Sequence, residues 1–127
     1  MKKGYLFPVA ILAAILAFAL WNSRVMTAET DRWRAQLEQG DQLAQAGDWT
    51  GAAGAVARSY DDWTARQTYL HVVSEHDAVD DAEAMYRRAM AFAAVEELSE
   101  FRAEISDLRD QLRLLAEMEQ CSVSNIL

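Results

Sequence analysis

Three side chains that can bind a metal ion or carry a proton lie close together in the sequence: His71, Glu75 and His76. On a helix, His71 and Glu75 are one turn apart and could share a metal ion or a proton. His76 would point about 140° away from His71 if that helix continued. A turn directly after Glu75 would bring His76 back, with further oxygen ligands available from Asp77, Asp80 or Asp81.

Three interpretations of this group remain open. It is a weak candidate metal site, a pH-sensitive contact, or a set of side chains that cap helices and form hydrogen bonds across a helical bundle. The order His-x-x-x-Glu-His is one residue longer than the His-x-x-Glu-His pattern of metalloproteases, so that match fails.

No other stretch assembles a catalytic set. The acidic group around Asp80 lacks the spacing of a calcium-binding loop and is typical of a solvated helix start. The sequence contains no phosphate-binding loop, no nucleophile elbow and no Ser–His–Asp arrangement that could be placed together. We therefore expect a protein that is not an enzyme and that holds no cofactor.

An apolar stretch near the N-terminus determines where the rest of the chain lies relative to a membrane. Tyr5 to Trp21 contains seventeen residues without a charge, directly after Lys2 and Lys3. As a helix it would span roughly 26 Å, near the short end of what crosses a hydrocarbon core of about 30 Å. We expect a cytoplasmic N-terminus (residues 1–4), a transmembrane anchor (5–21) and an extracytoplasmic domain (22–127), because lysines stay on the inner side. The alternative is a signal peptide cleaved near Ala19, after the small-x-small sequence Ala17-Phe18-Ala19.

The rest of the chain shows helical periodicity only. The anchor is predicted to continue as a helix to Ala46, where Gly47 stops it and Asp48 caps the next helix. That second helix is predicted to run to about Ser74 with a buried seam made of Trp49, Ala53, Val56, Tyr60, Trp63, Gln67 and Leu70. A third helix is predicted with Val79, Ala82, Tyr86, Met90 and Ala93 inward, and then a break between Val95 and Leu98. The last helix has the clearest seam: Leu98, Phe101, Ile105, Leu108, Leu112 and Leu115. The sequence thus predicts an all-α protein, with an N-terminal transmembrane helix followed by an antiparallel bundle of three to four helices.

The charge and the aromatic residues of the chain limit which classes of binding partner are plausible. The chain has a formal net charge of −8, and all twenty acidic residues follow the apolar stretch. This excess of carboxylates argues against nucleic-acid binding and predicts that the domain stands off an anionic membrane surface. Trp49 and Trp63 lie on the predicted seam, where packing is the ordinary explanation, whereas Trp33 is a candidate for binding a partner or a second copy. Cys121 is the single cysteine and is expected to be a small buried filler, the alternative being an intermolecular disulfide.

Two resemblances carry further expectations. Leu37 to Val56 resembles the middle of a tetratricopeptide repeat, without a second copy, which implies two antiparallel helices meeting at Gly47.

The chain as a whole resembles the bacterial family called domain of unknown function 4363. The residues that carry this resemblance are Lys2-Lys3, Asp48-Trp49, Trp63, Leu70, Glu75-His76 and Asn125-Ile126-Leu127. It implies a short protein with one N-terminal membrane segment and a helical outer domain, and it implies no activity. It also raises the importance of Trp63, Glu75, His76 and Asn125, which we expect to tie the second helix to the C-terminal tail.

These observations favour one function over its alternatives. We expect a non-enzymatic helical module, anchored in the bacterial cell membrane by a single pass, that binds another membrane or envelope protein. The alternatives are a metal- or pH-sensing envelope protein that uses His71, Glu75 and His76, and a secreted helical bundle.

Overall fold

The computed structural model describes the backbone of residues 2–66 and 76–126 and the side chains of residues 4–66 and 77–121. A short 3-10 helix at Lys2–Tyr5 precedes four α-helices, which are α1 (Leu6–Gln45), α2 (Trp49–Ala65), α3 (His76–Ala94) and α4 (Leu98–Ile126). The described residues form no strand. The predicted all-α bundle is confirmed.

The first helix runs without interruption from the apolar stretch into the bundle. Its 40 residues correspond to about 60 Å of helix. Pro8 lies in the first turn, where its missing N–H removes no helical hydrogen bond. The side chains of its first half are almost all exposed, whereas its second half buries one residue every three or four positions: Met26, Thr30, Trp33, Leu37, Gly40 and Ala44. The predicted continuation of the apolar stretch as one helix into the bundle is therefore confirmed.

The four helices form a closed antiparallel bundle. α1 packs against α2 and α4, and α3 packs against the same two helices from the opposite side. Side chains join neighbouring helices along the outside, as Arg102 on α4 does with Asp41 on α1 at 3.0 Å. Each helix thus has two neighbours, and the apolar stripes of all four face one core.

Two turns with the same hydrogen-bond pattern build the bundle from two hairpins. At the end of α1, the Asp48 amide donates to the Leu43 carbonyl at 2.9 Å, and the Gly47 amide donates to Ala44. At the end of α3, the amide of Glu97 donates to the Phe92 carbonyl at 3.0 Å, in the same pattern. Both are Schellman turns, which need one residue in the left-handed region. Gly47 supplies it with φ 83°, and Glu96 supplies it with φ 56°.

Because the two hairpins share the same turn, they bury residues at equivalent positions. The first hairpin buries Thr30, Trp33, Leu37, Gly40, Ala44, Ala52, Val56, Ser59 and Trp63. The residues 49 positions later are buried as well: Val79, Ala82, Tyr86, Ala89, Ala93, Phe101, Ile105, Leu108 and Leu112. Because helices joined by the same turn keep the same phase, the second hairpin presents a matching apolar stripe to the first.

A polar contact in the core ties three helices together. The hydroxyl of Ser59 donates to the backbone carbonyl of Trp33 at 3.1 Å. Since that hydroxyl has one proton, the phenol of Tyr86 must donate to Ser59 across their 2.8 Å contact. Burial raises the pKa of Tyr86, which keeps the phenol in this donor form. The ring of Tyr86 also packs on Tyr60 and Trp63, with centroids 5.3 Å apart in both pairs.

The structure corrects the predicted second helix. α2 ends at Ala65, before the expected end at Ser74, and its predicted seam residues Gln67 and Leu70 lie outside the described residues. Of the predicted seam, Val56 and Trp63 are buried as expected, while Trp49, Ala53 and Tyr60 are only half-buried. The buried stripe is shifted toward smaller residues and consists of Ala52, Ala55, Val56, Ser59 and Trp63. The reason is close packing. A Cβ on Gly40 of α1 would lie 3.4 Å from the Ala52 carbonyl oxygen, so small residues face α1 at this level, and Trp49 and Tyr60 lie at the edge.

Three smaller expectations also change. Cys121 is exposed, so it is not the buried filler that the sequence suggested. In α3, Met90 was predicted to face inward but is only half-buried, and its neighbour Ala89 is fully buried instead. Leu98, the first residue of the predicted last seam, is 39% exposed. The predicted break after Val95 is confirmed, although no glycine or proline marks it, because Glu96 takes the left-handed position.

The two turns provide a matched test of this geometry. Gly47→Ala should lower the free energy of unfolding by about 1 kcal/mol, because a side chain in the left-handed region is strained. Glu96→Gly should raise it by a similar amount, because it relieves the same strain in the second hairpin. Thermal unfolding followed by circular dichroism checks both variants. Destabilisation by Glu96→Gly would contradict the assignment of its backbone conformation.

Candidate functional site

The first half of α1 presents an apolar surface on all sides. Among the described side chains of this segment, Phe7, Leu12 and Trp21 are 72%, 64% and 64% exposed, and only Ala19 is buried. Its most apolar 18-residue window has a mean hydropathy of 2.0 and is 6% buried. The core helix of a soluble protein would be mostly buried. α1 is thus long and apolar enough to cross a membrane.

A buried carboxyl group lies near the other end of the chain. Glu119 on α4 is 1% exposed, and neither of its carboxylate oxygens has a hydrogen-bond partner in the described part of the chain. Burial raises the pKa of Glu119 to about 7, and the nearby positive charge of Arg66 opposes that rise. The carboxyl group therefore titrates near neutral pH instead of near 4.5.

Arg66 connects this carboxyl group to α1. The guanidinium of Arg66, at the end of α2, lies 3.1 Å from a carboxylate oxygen of Glu29. Both side chains are partly covered, with 32% and 22% of their surfaces exposed. Glu29, Arg66 and Glu119 thus bring charges from three helices to the level where α2 ends. We call these three residues the charge cluster.

The charge cluster was missed by the sequence analysis, although the sequence contained a signal for it. The buried seam of α4 steps by three and four residues through Leu108, Leu112 and Leu115. The next step of four reaches Glu119, so the same periodicity places this acid in the interior. A charged residue on an apolar seam marks a group whose pKa the fold has shifted.

The predicted aromatic candidates lie in different environments. Trp33 and Trp63 are 2% and 0% exposed, and both belong to the core. The expectation that Trp33 offers a surface for a partner or a second copy is therefore wrong. The indole N–H groups of both residues lack hydrogen-bond partners in the described part of the protein. Trp49 is half-buried and packs edge-on against Phe101, with ring centroids 5.5 Å apart.

The remaining predicted site residues are not tested. His71 and Glu75 lie outside the described residues, whereas His76 begins α3 and Asn125 lies near the end of α4, both without a described side chain. The predicted metal trio and the predicted link between the second helix and the tail therefore stay predictions. Within residues 4–66 and 77–121, no group of three His, Cys, Asp or Glu side chains could hold a metal ion.

The tip of the bundle that lies farthest from the apolar segment is apolar. At the α3–α4 turn, Val95 is 65% exposed and Leu98 is 39% exposed. Trp49, at the start of α2 in the neighbouring turn, is half-buried. We call Trp49, Val95 and Leu98 the apolar tip. Exposed acidic residues surround it: Asp48, Glu96, Glu97 and Glu100.

The pKa of Glu119 predicts a pH-dependent effect on stability. The folded chain binds this proton more tightly than the unfolded chain, whose glutamates titrate near 4.5. The stabilisation is therefore complete below about pH 4.5 and is lost as the pH rises through about 7. Glu119→Gln should unfold like the original protein at pH 4 but be more stable at pH 8, by about 1–3 kcal/mol.

Chemical denaturation of the full chain in detergent at the two pH values checks this prediction. Glu117→Gln, at an exposed position on the same helix, is the matched control and should show no such difference. Equal effects of the two substitutions would contradict the buried state of Glu119.

Comparison with known proteins identifies one relationship. The family model described as "Domain of unknown function (DUF4363)" matches residues 20–126. No curated protein and no solved structure matches the chain significantly.

Proposed function

Because the chain belongs to the DUF4363 family, whose description assigns no activity, we propose its function from its own geometry. The protein is a non-enzymatic, single-pass membrane-anchored module whose helical bundle binds another membrane or envelope protein. The observation that carries this proposal is the uninterrupted course of α1, which is exposed and apolar in its first half and packed into the bundle in its second half.

The charge pattern supports an orientation. Lys2 and Lys3 precede the apolar segment, and positive residues flanking a span stay on the cytoplasmic side. The bundle then lies outside the cytoplasm of a bacterial cell, attached to the cell membrane. Trp21 closes the apolar segment at the position where aromatic side chains favour the membrane interface.

The continuity of α1 gives the bundle a fixed height. Between Trp21 and the end of α1 at Gln45 lie 24 helical residues, which correspond to about 36 Å. No loop interrupts this length, so the apolar tip is held at about this distance from the membrane. A partner that the tip contacts must therefore extend about as far from the membrane surface.

The surface of the apolar tip indicates the chemistry of that partner. Val95, Leu98 and Trp49 offer apolar area that would be buried on contact. The surrounding carboxylates favour a partner with basic side chains around an apolar depression. We therefore propose that the partner is the extracytoplasmic part of another membrane protein with this surface.

The intact mass of the protein, isolated from its native membrane, tests the anchor. We expect the mass of the full chain, 14.3 kDa, in the membrane fraction, with the bundle cleaved by protease added outside spheroplasts. A chain that begins at Leu20 and is released from the membrane would make the protein a secreted bundle. That result would overturn the proposed anchoring.

Substitutions at the apolar tip test the partner contact. Val95→Ser/Leu98→Ser should weaken the chemical cross-link between the protein and its membrane partner about tenfold or more, because two apolar contacts are lost. Leu114→Ser is the matched control, since Leu114 is an exposed leucine of α4 away from the tip, with 47% of its surface exposed. It should leave the cross-link unchanged.

Two outcomes would contradict this assignment of the tip. One is equal cross-linking of the tip variant and the original protein, with both bundles folded by circular dichroism. The other is a cross-linked product of twice the chain mass, which would make the partner a second copy.

A further inference from the structure

The end of α4 lies close to the membrane end of α1. We infer that the C-terminal end of α4 lies in the lipid headgroup region beside α1, so that the protein contacts the bilayer through two helices, α1 and α4. This inference rests on the proposed anchoring of α1 and adds a second contact with the membrane.

The side-chain contacts between α1 and α4 fix the register of the two helices. Arg109 on α4 lies 3.4 Å from Glu38 on α1, and Gln120 donates to the hydroxyl of Thr27 at 2.9 Å. These contacts are eleven residues apart on both helices, as expected for antiparallel neighbours that advance at the same rise. α4 continues six residues beyond Gln120, to Ile126. The same register places the backbone of Ile126 at the level of Trp21, where the apolar segment of α1 ends.

The other two helices end farther from the membrane. The last residue of α2 is Ala65, and Arg66 behind it reaches Glu29 of α1. α3 begins at His76, and the carbonyl of Ala78 accepts a hydrogen bond from Gln111 of α4. Within the described residues, only α1 and α4 therefore continue toward the membrane. We call residues 20–28 of α1 and 119–126 of α4 the paired stem.

The paired stem differs from the rest of the bundle in charge. Its single acidic residue is Glu119, which is buried and whose pKa burial raises to about 7. The other nineteen acidic residues lie between Glu29 and Glu117, and the stem adds one cation, Arg24. An anionic headgroup layer therefore does not repel the stem. The expectation that the acidic domain stands off the membrane applies to the body of the bundle and not to this end.

The backbone hydrogen-bonding groups at the end of α4 limit how deep this end can lie in the bilayer. The last turn of an α-helix leaves carbonyl groups without helical hydrogen-bond partners, and these groups need water or headgroup donors. This requirement excludes the hydrocarbon core and is met in the headgroup layer. The sequence from Cys121 to Ile126 contains no charged side chain, so the side chains of this segment bring no charge into the layer.

A depth measurement with a fluorescent label tests the inference. The full chain would be placed in nanodiscs of phosphatidylethanolamine and phosphatidylglycerol, with Cys121→Ser removing its single native thiol. An environment-sensitive dye would then be attached after Ile126→Cys or, as the matched control, after Ser99→Cys. Ser99 is exposed in the first turn of the same helix, at the apolar tip end of the bundle.

The two labels should behave differently. At position 126 we expect blue-shifted emission, quenching by nitroxides on lipid headgroups, and quenching by aqueous iodide several-fold weaker than at position 99. Emission and iodide quenching at position 126 equal to those at position 99 would overturn the inference while leaving the anchor intact. Quenching at position 126 by nitroxides near the bilayer centre, but not by those on headgroups, would also overturn it. Failure of the chain to enter nanodiscs would overturn both the anchor and the stem contact.

Discussion

The hydrogen-bond ladder of α1 is the feature on which the rest of the structure depends. One helix has to satisfy two surroundings, because its first half is exposed and apolar and its second half packs into a bundle. A helix can do this because it satisfies its backbone hydrogen bonds internally in either surrounding. The side-chain pattern therefore changes from apolar on all sides to a single buried stripe, while the backbone does not change. The orientation of the bundle relative to the apolar segment follows from this continuity.

The sequence predicted those parts of the fold that follow from local chemistry. The apolar stretch, the stop at Gly47, the cap at Asp48 and the seam of α4 are local patterns with one structural solution. The predicted stripe of α2 was only partly correct, because the centre of the buried face depends on how closely α1 approaches. Val56 and Trp63 are buried as predicted, but the contact at Gly40 leaves room only for small residues at that level, and Trp49 and Tyr60 lie at the edge. Periodicity therefore located the helix but not the centre of its buried face.

The candidate sites show the same limit. Glu119 continues a regular seam, yet its burial and its pKa of about 7 depend on three helices meeting at one level. The predicted seam of α4 ended at Leu115 and therefore did not include Glu119. Trp33 shows the opposite error, because an isolated tryptophan suggested a binding surface where the structure has a packed core. In both cases the phase of the residue along its helix was the better guide, because Glu119 lies four positions after the buried Leu115 and Trp33 lies four positions before the buried Leu37.

Because α1 is one long helix, any tilt of its apolar half displaces the far end of the bundle sideways. Transmembrane helices tilt by about 20° on average, and the tilt responds to the thickness of the bilayer. Over the 36 Å or so between Trp21 and the end of α1, a tilt of about 20° moves the far end sideways by roughly 12 Å. A hinge between the two halves would absorb this motion, and the uninterrupted helix contains none. In the proposed membrane-anchored arrangement, the lateral position of the turns at the top of the bundle is thereby coupled to the angle of the helix in the lipid.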